Sequence, residues 1–316
     1  MGNLIDFGIK AICRPPRSSY PLNDIPDTVS IDGYGSIHPK PVCFPNSRGY
    51  KIVGSLYQPN EVVDDPSCVI YLHGNSSSQM EGIFLIPFFV PAGVSVLCFD
   101  FSGCGNSEGD FISLGLLEQD DVESAIAYLK AKHGINRVVL YGRSMGASTC
   151  FFAMAENPKI LGSVVDSPFA SLPQLISEII RNNSVPGFLS PGLIWYLSKK
   201  IKESKNFDIR ECVPVDYAPR CKAPLLIIHG QNDTFINCEH SRMLFNAYGG
   251  KVKNLEIVPG NHNSERPFEI INEAIEFLAH ILNVVVNINP EQASARLESA
   301  YHHFENVENM MKSIEY

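Results

Sequence analysis

The stretch Val138-Val139-Leu140-Tyr141-Gly142-Arg143-Ser144-Met145-Gly146-Ala147-Ser148 constrains the fold more than any other part of the chain. An apolar, β-branched run of the kind found in a buried strand meets the pattern Gly-x-Ser-x-Gly. It then passes into Met145 to Met154, which reads as a helix rich in small residues. Such a strand-to-helix elbow holds its central serine in strained backbone, and glycines two residues to either side let strand and helix pack closely around it. A serine hydroxyl is barely ionised at neutral pH, so a nucleophilic Ser144 needs a base within hydrogen-bond reach and an exposed seat. The elbow supplies the seat.

The rest of the chain repeats the alternation of apolar runs and helical stretches. Pro41 to Phe44 and Lys51 to Tyr57 flank the turn cluster Asn46-Ser47-Arg48-Gly49 and read as an antiparallel pair. Strands are predicted at Cys68 to Leu72, Val94 to Phe99, Leu161 to Val165, Pro224 to Ile228 and Asn254 to Val258. Helices are predicted near Met80 to Phe89, over Leu116 to Lys132, over Glu239 to Ala247 and over Pro267 to Leu282. The last carries Phe268, Ile271, Ile275, Leu278 and Leu282 on one stripe. The pattern predicts an α/β fold, a mostly parallel sheet with helices on both faces. Ligands in such sheets bind beyond the carboxyl ends of the strands. The polar loops after Leu72, Phe99, Tyr141, Val165, Ile228 and Val258 all fall there.

Two segments stand apart from this alternation. Ser171 to Lys222 holds two helical patterns broken at Pro186-Gly187 and Pro191-Gly192, and is expected to form a short helical lid insert over about residues 172–223. After a domain over residues 1–286, the tail 287–316 opens at Asn289-Pro290 as a helix start. It repeats Leu297, Ala300, Phe304, Val307 and Met311 as an amphipathic stripe.

Charge and cysteine usage exclude several classes of function. The net charge is -9 and the densest basic run is only Lys199-Lys200-Ile201-Lys202, so no nucleic-acid partner is expected. The glycine-rich Asp100 to Ser107 lacks both the P-loop lysine and the G-x-G-x-x-G spacing, which argues against a nucleotide. The 9 cysteines never form a C-x-x-C pair, which argues against a zinc site or a disulfide framework and for a reducing compartment. No cofactor or metal is called for. No stretch is long and apolar enough to span a bilayer, and the expected location is cytoplasmic. Gly2, exposed for myristoylation, and the nearby Cys13, Arg14 and Arg17 leave open a peripheral membrane contact through the N-terminus. Asp6 stands where the acylation motif wants Ser or Thr.

For the base, His262 lies in the turn-rich loop Pro259-Gly260-Asn261-His262-Asn263 just past the last strand, where a side chain can reach the elbow. His73 and His229 end strands immediately before glycine and are expected to be buried and hydrogen-bonded. For the orienting acid, Asp233 follows the strand at Pro224 to Ile228, and Asp166 competes from the end of the preceding strand. Ser144, Asp233 and His262 give the chain order serine, acid, histidine. The developing oxyanion needs fixed donors: the amide of Met145 at the helix N-terminus and that of Asn75, just past His73-Gly74. Arg143 favours an anionic substrate or pairs with a surface acid.

Taken together, Tyr71 to Asn75, Phe99 to Gly105, Gly142 to Gly146, Asp166 to Phe169, His229 to Asp233 and Gly260 to Ser264 resemble an α/β-hydrolase, and within that superfamily the serine-aminopeptidase-like group. More narrowly, the chain is similar to uncharacterised plant and protist hydrolases that open with Arg-Pro-Pro-Arg, as at Arg14 to Arg17. The resemblance implies a triad of Ser144, Asp233 and His262 with Asn75 and Met145 as oxyanion donors. It does not imply a substrate. An aminopeptidase must hold a free α-ammonium, usually with clustered carboxylates, and the acids of the insert, Glu178, Glu203, Asp208 and Glu211 among them, are dispersed. Its apolar residues Leu175, Ile179, Ile180, Phe188, Leu193, Ile194, Trp195 and Leu197 line an acyl pocket or pack on the body. Resemblance to membrane-associated acyl-protein thioesterases adds a thioester or long-chain ester as substrate. The reading is a serine hydrolase acting on a small-molecule or lipid-like ester, thioester or small amide. A serine aminopeptidase and a catalytically silent binding module are the alternatives, and the oligomeric state is left open.

Overall fold

The computed structural model describes residues 9–10, 12–14, 17–182 and 190–287. The expected helix at the end of the tail, the lipidation site at Gly2 and Phe188 of the insert lie outside the described residues.

Eight strands form one sheet: β1 (Lys40–Pro45), β2 (Lys51–Tyr57), β3 (Ser67–Leu72), β4 (Val94–Phe99), β5 (Arg137–Arg143), β6 (Ile160–Asp166), β7 (Leu225–Gly230) and β8 (Lys253–Val258). Their order is β8-β7-β6-β5-β3-β4-β2-β1. β2 pairs antiparallel with both β1 and β4, and β3 to β8 all run parallel to one another. Every residue of β3, β4 and β7 is buried, as a strand covered on both faces must be. Leu72 pairs with Gly142, Arg143 with Asp166, and Asp166 with Ile228. The carboxyl ends of the central strands therefore lie level, and their loops emerge side by side.

Helices α1 (Gln119–His133), α2 (Met145–Glu156) and α5 (Glu239–Ala247) cover one face through Val122, Ala125, Leu129, Phe151 and Leu244. The turn and short helix over Gln79–Leu85 and Ile86–Phe89, with α6 (Phe268–Leu282), cover the other. The predicted stripe on α6 is buried at Ile271, Ile275, Leu278 and Leu282. A hairpin of Val29–Ile31 and Gly35–Ile37, which the periodicity does not reveal, adds Ile31 and Ile37 to that second layer.

Between β6 and β7 run α3 (Leu172–Asn182) and α4 (Ser190–Lys205). The expected break at Pro191-Gly192 does not occur. Pro191 sits in the first turn of α4, where the backbone N–H has no intrahelical acceptor and a proline costs nothing. Leu172, Leu175 and Ile176 from α3 and Ile194, Leu197 and Ile201 from α4 form a third cluster with Phe169 and Ile236, residues that follow β6 and β7. The two helices thus pack at the carboxyl end of the sheet.

Candidate active site

Ser144 closes β5 and precedes α2, with φ 52 and ψ -113. That left-handed backbone is strained for a serine and is held from both sides. Its N–H donates to the carbonyl of Asp166 at 2.8 Å. A β-carbon on Gly146 would stand 2.0 Å from the carbonyl oxygen of Leu72, and one on Gly142 would stand 2.5 Å from that of Gly146. Only glycine lets α2 approach β3 and β5 this closely, so the elbow expected from the pentapeptide is present.

His262, in the loop after β8, directs Nε2 to Ser144 Oγ at 3.1 Å and Nδ1 to Asp233 Oδ2 at 2.6 Å. A carboxylate only accepts, so Nδ1 carries the proton and the Nε2 lone pair faces the serine hydroxyl. The other oxygen of Asp233 accepts the amides of Phe235 at 2.9 Å and Ile236 at 2.8 Å. Burial alone would raise the Asp233 pKa. The hydrogen bonds from His229, His262 and the Ile236 amide outweigh it and hold the carboxyl well below its ordinary range. For His262, burial disfavours the imidazolium more than Asp233 favours it, and the cation of Arg143 adds to the effect. The ring is held below the ordinary 6.5, neutral at physiological pH.

The histidines predicted to be structural are buried and hydrogen-bonded. His73 accepts the Phe101 amide on Nε2 at 3.0 Å and donates from Nδ1 to the Gly74 carbonyl at 2.7 Å. His229 does more than fill space. Its Nε2 lies 2.8 Å from the Ile236 carbonyl and 3.3 Å from Asp233 Oδ2, while Nδ1 meets Ser241 Oγ at 2.6 Å. Because the carbonyl only accepts, Nε2 bears the proton, and it supports the same oxygen of Asp233 that His262 meets.

Asp166, the competing acid, is bound elsewhere. Arg266, 1% exposed, grips it through Nε and a terminal nitrogen at 2.9 to 3.2 Å. Burial opposes ionisation of Asp166, but Arg266 outweighs it and keeps the carboxyl below the ordinary range. The remaining guanidinium nitrogen donates to the carbonyls of Asn261 and Ser264 at 3.0 Å each, so the same arginine shapes the loop that carries His262.

Arg143 meets a buried acid rather than a surface one. It donates to Glu81 Oε1 at 3.0 Å, to the His262 carbonyl at 3.0 Å and to Asn263 Oδ1 at 2.7 Å. The second oxygen of Glu81 accepts the Gly74 amide at 2.7 Å. One ion pair therefore ties together the loop after β3, the elbow and the histidine loop. Asn75 follows directly, and a β-carbon on Gly74 would lie 3.7 Å from that of Ser144, which puts this loop beside the serine. Met145 opens α2, where the helix dipole favours negative charge. Glu81, Arg266 and the second role of His229 escaped sequence reasoning. Glu81 and Arg266 act through partners far away in the chain, where the available signal was a charged residue inside an otherwise apolar or turn-forming segment, while His229 meets Asp233 only one short turn on, in a contact that its place before a glycine did not reveal.

This fold, with its elbow between β5 and α2 and its loops at one end of a mostly parallel sheet, is that of an α/β-hydrolase. Known proteins that resemble the chain are of the same kind. Residues 66–205 match the family described as serine aminopeptidase, S33. The uncharacterized protein YfhR of Escherichia coli strain K12 is 29% identical over 224 residues, spanning 68% of this chain and 71% of that one. Human protein ABHD12B is 28% identical over 218 residues, which cover 63% of this chain and 57% of its own. Among solved structures, the Pyrococcus furiosus esterase Pf2001 superposes with a TM-score of 0.63 at 22% identity, covering 85% of this chain and 98% of that one.

Proposed function

We propose that the protein is a serine hydrolase that cleaves an ester, thioester or small amide through an acyl-enzyme. The observation that carries this reading is the relay Asp233–His262–Ser144, at 2.6 and 3.1 Å, ending on a serine at φ 52. In the proposed cycle Ser144 Oγ attacks the carbonyl carbon while His262 Nε2 takes its proton. His262 then gives that proton to the leaving group, and water repeats the sequence to release the acid. Asp233 holds the ring in the required tautomer and stabilises the imidazolium. The amides of Met145 and Asn75 would meet the oxyanion, each such donor being worth about 3 kcal/mol of barrier.

An aminopeptidase is the weaker reading. The four acids of the insert weighed for that role are engaged: Glu178 by His240, Glu203 by Lys200, and Asp208 by Arg210 and Ser198. Glu211 lies 3.9 Å from Lys202. None is poised for a substrate ammonium. The neighbouring esterase fold and the apolar insert support an acyl substrate, small or lipid-like, and a lid role for residues 172–223. The narrower likeness to plant and protist hydrolases rests on Arg14 to Arg17 and adds no activity.

The test is labelling with a fluorophosphonate probe. Wild type should label, Ser144→Ala should not, and His262→Ala should label far more slowly. A panel of p-nitrophenyl esters, acyl thioesters and aminoacyl anilides then separates esterase, thioesterase and peptidase. Folded wild type that fails to label would leave the binding-module reading in its place.

A further inference from the structure

We propose that the described residues 12–14 and 17–20 form a strap that positions the loop carrying Asn75, with Arg17 and Tyr20 as its positioning residues. The inference rests on the serine-hydrolase reading and on the Asn75 amide as an oxyanion donor. The strap lies before residues 66–205, the span of the family match, so likeness to that family does not account for it. Asn75 stands between two pinned points. On one side the Gly74 amide donates to Glu81 at 2.7 Å, and on the other the Gln79 amide donates to Asp100 Oδ1 at 2.7 Å. Between them Ser76 has left-handed backbone at φ 59, which is strained for a serine. Asn75 Oδ1, Ser76 Oγ and Ser77 Oγ are buried with no hydrogen-bond partner among the described residues. These side chains share a cavity of about 10 Å³ with Arg14, Arg17 and Ser18 of the strap. The place of Asn75 is therefore set by the ends of its loop, and Asp100 holds one of them.

The strap reaches Asp100 by two routes. Directly, the Tyr20 hydroxyl donates to the buried Asp100 Oδ2 at 2.6 Å and accepts Gln79 Nε2 at 2.7 Å, so one phenol spans the carboxyl and the loop it holds. Indirectly, the Asn106 amide donates to the same oxygen at 2.7 Å from a tight glycine turn, in which a β-carbon on Gly105 would stand 2.2 Å from the Asp100 carboxyl. That turn gathers four carbonyls around Arg17. Its Nε donates to Gly105 at 2.8 Å, and its terminal nitrogens donate to Cys104 at 3.1 Å, to Gly109 at 3.2 Å and to Ser107. Four acceptors around one group call for several N–H donors in a fixed plane, which arginine has and lysine lacks. Oxyanion donors work because they are fixed before the charge develops, so a shifted loop costs stabilisation of the tetrahedral state.

Tyr20→Phe removes one hydroxyl from a ring that stays packed, and Arg17→Lys keeps the charge without the fork. Full-length wild type and both variants are labelled with the fluorophosphonate probe, then assayed with p-nitrophenyl acetate and inhibited with a trifluoromethyl ketone, whose adduct with an activated serine carries the oxyanion. Each variant should keep the near-ultraviolet dichroism and the acid limb of wild type, since neither residue touches His262. Each should lose about tenfold to a hundredfold in kcat/KM, and the Ki of the ketone should rise by the same factor. A fall in kcat/KM with unchanged Ki, or folded variants with wild-type values of both, overturns the strap and leaves the triad reading standing. Folded wild type that does not label overturns the triad reading and this inference with it.

Discussion

At the scale of single residues, the site is a set of carboxylates divided by their partners. Asp233 and Asp166 both follow strands and both reach toward the histidine loop, but one takes an imidazole and the other a guanidinium. Chain order and loop placement were enough to favour Asp233, because they bear on which loops converge. Arg266, 100 residues away from Asp166, could not be paired with it until the strands were in register. Replacing Asp233 by Asn should leave the fold intact and allow His262 to adopt the wrong tautomer, so kcat should fall on the order of 10⁴-fold with little change in KM, read by steady-state kinetics. Arg143 makes a second, subtler prediction. Its cation helps to hold His262 below 6.5, so the acid limb of kcat/KM should lie below that value in wild type. Arg143→Met alone would strand the buried Glu81 charge at a cost of about 3–5 kcal/mol. In Glu81→Gln/Arg143→Met that charge is gone and the Gly74 amide keeps its acceptor, so the protein should fold. Its acid limb should move to higher pH, and an unmoved limb would mean that Arg143 serves packing alone.

At the scale of elements, the strands were legible because burial on both faces writes a continuous apolar run. β2 and β4 fall on the predicted Lys51 to Tyr57 and Val94 to Phe99, and α5 on Glu239 to Ala247. The hairpin at Val29–Ile31 and Gly35–Ile37 was not legible, since each arm turns a single residue into the core and a three-residue strand shows no period. Pro191 was misread because proline marks a helix start as readily as a break, and only the preceding context separates the two. The contact between α2 and β3 carries the element-scale prediction. Gly146→Ala puts a methyl group 2.0 Å from a backbone oxygen of β3, which cannot swing away as a side chain can. The helix must retreat from the strand, at a cost of at least about 1–3 kcal/mol, and it carries Met145 with it. Thermal unfolding should show a lowered midpoint. Any folded fraction should lose activity far beyond that loss of stability, since the oxyanion donor is displaced.

At the scale of the whole molecule, buried ionisable groups pull stability in opposite directions as pH falls. His240 and His262 are held below the ordinary 6.5, chiefly by burial. The unfolded chain therefore binds protons that the fold does not, and stability is lost as pH drops below 6.5. Asp166 and Asp233 are depressed, so the stability they contribute is present above about 3.9 and withdrawn as pH falls through their folded values. Asp121, in the first turn of α1, works the other way. It is fully buried and accepts from Asn46 at 2.6 Å, from the Ser102 amide at 2.8 Å and from Arg48 at 3.1 Å. Burial nevertheless exceeds what these partners return and pushes the carboxyl from 3.8 to about 6. That shift corresponds to about 3 kcal/mol against the folded state at neutral pH, relieved as the group is protonated between about 6 and 4. The histidine and aspartate contributions are common to wild type and Asp121→Asn and cancel in their difference. Urea unfolding of both proteins at a series of pH values should therefore show wild type gaining on the variant by up to about 3 kcal/mol as pH is lowered from about 7 to 4. A constant difference would mean that Arg48, Asn46 and Ser102 fully offset the burial of Asp121, and that this acid is ionised throughout.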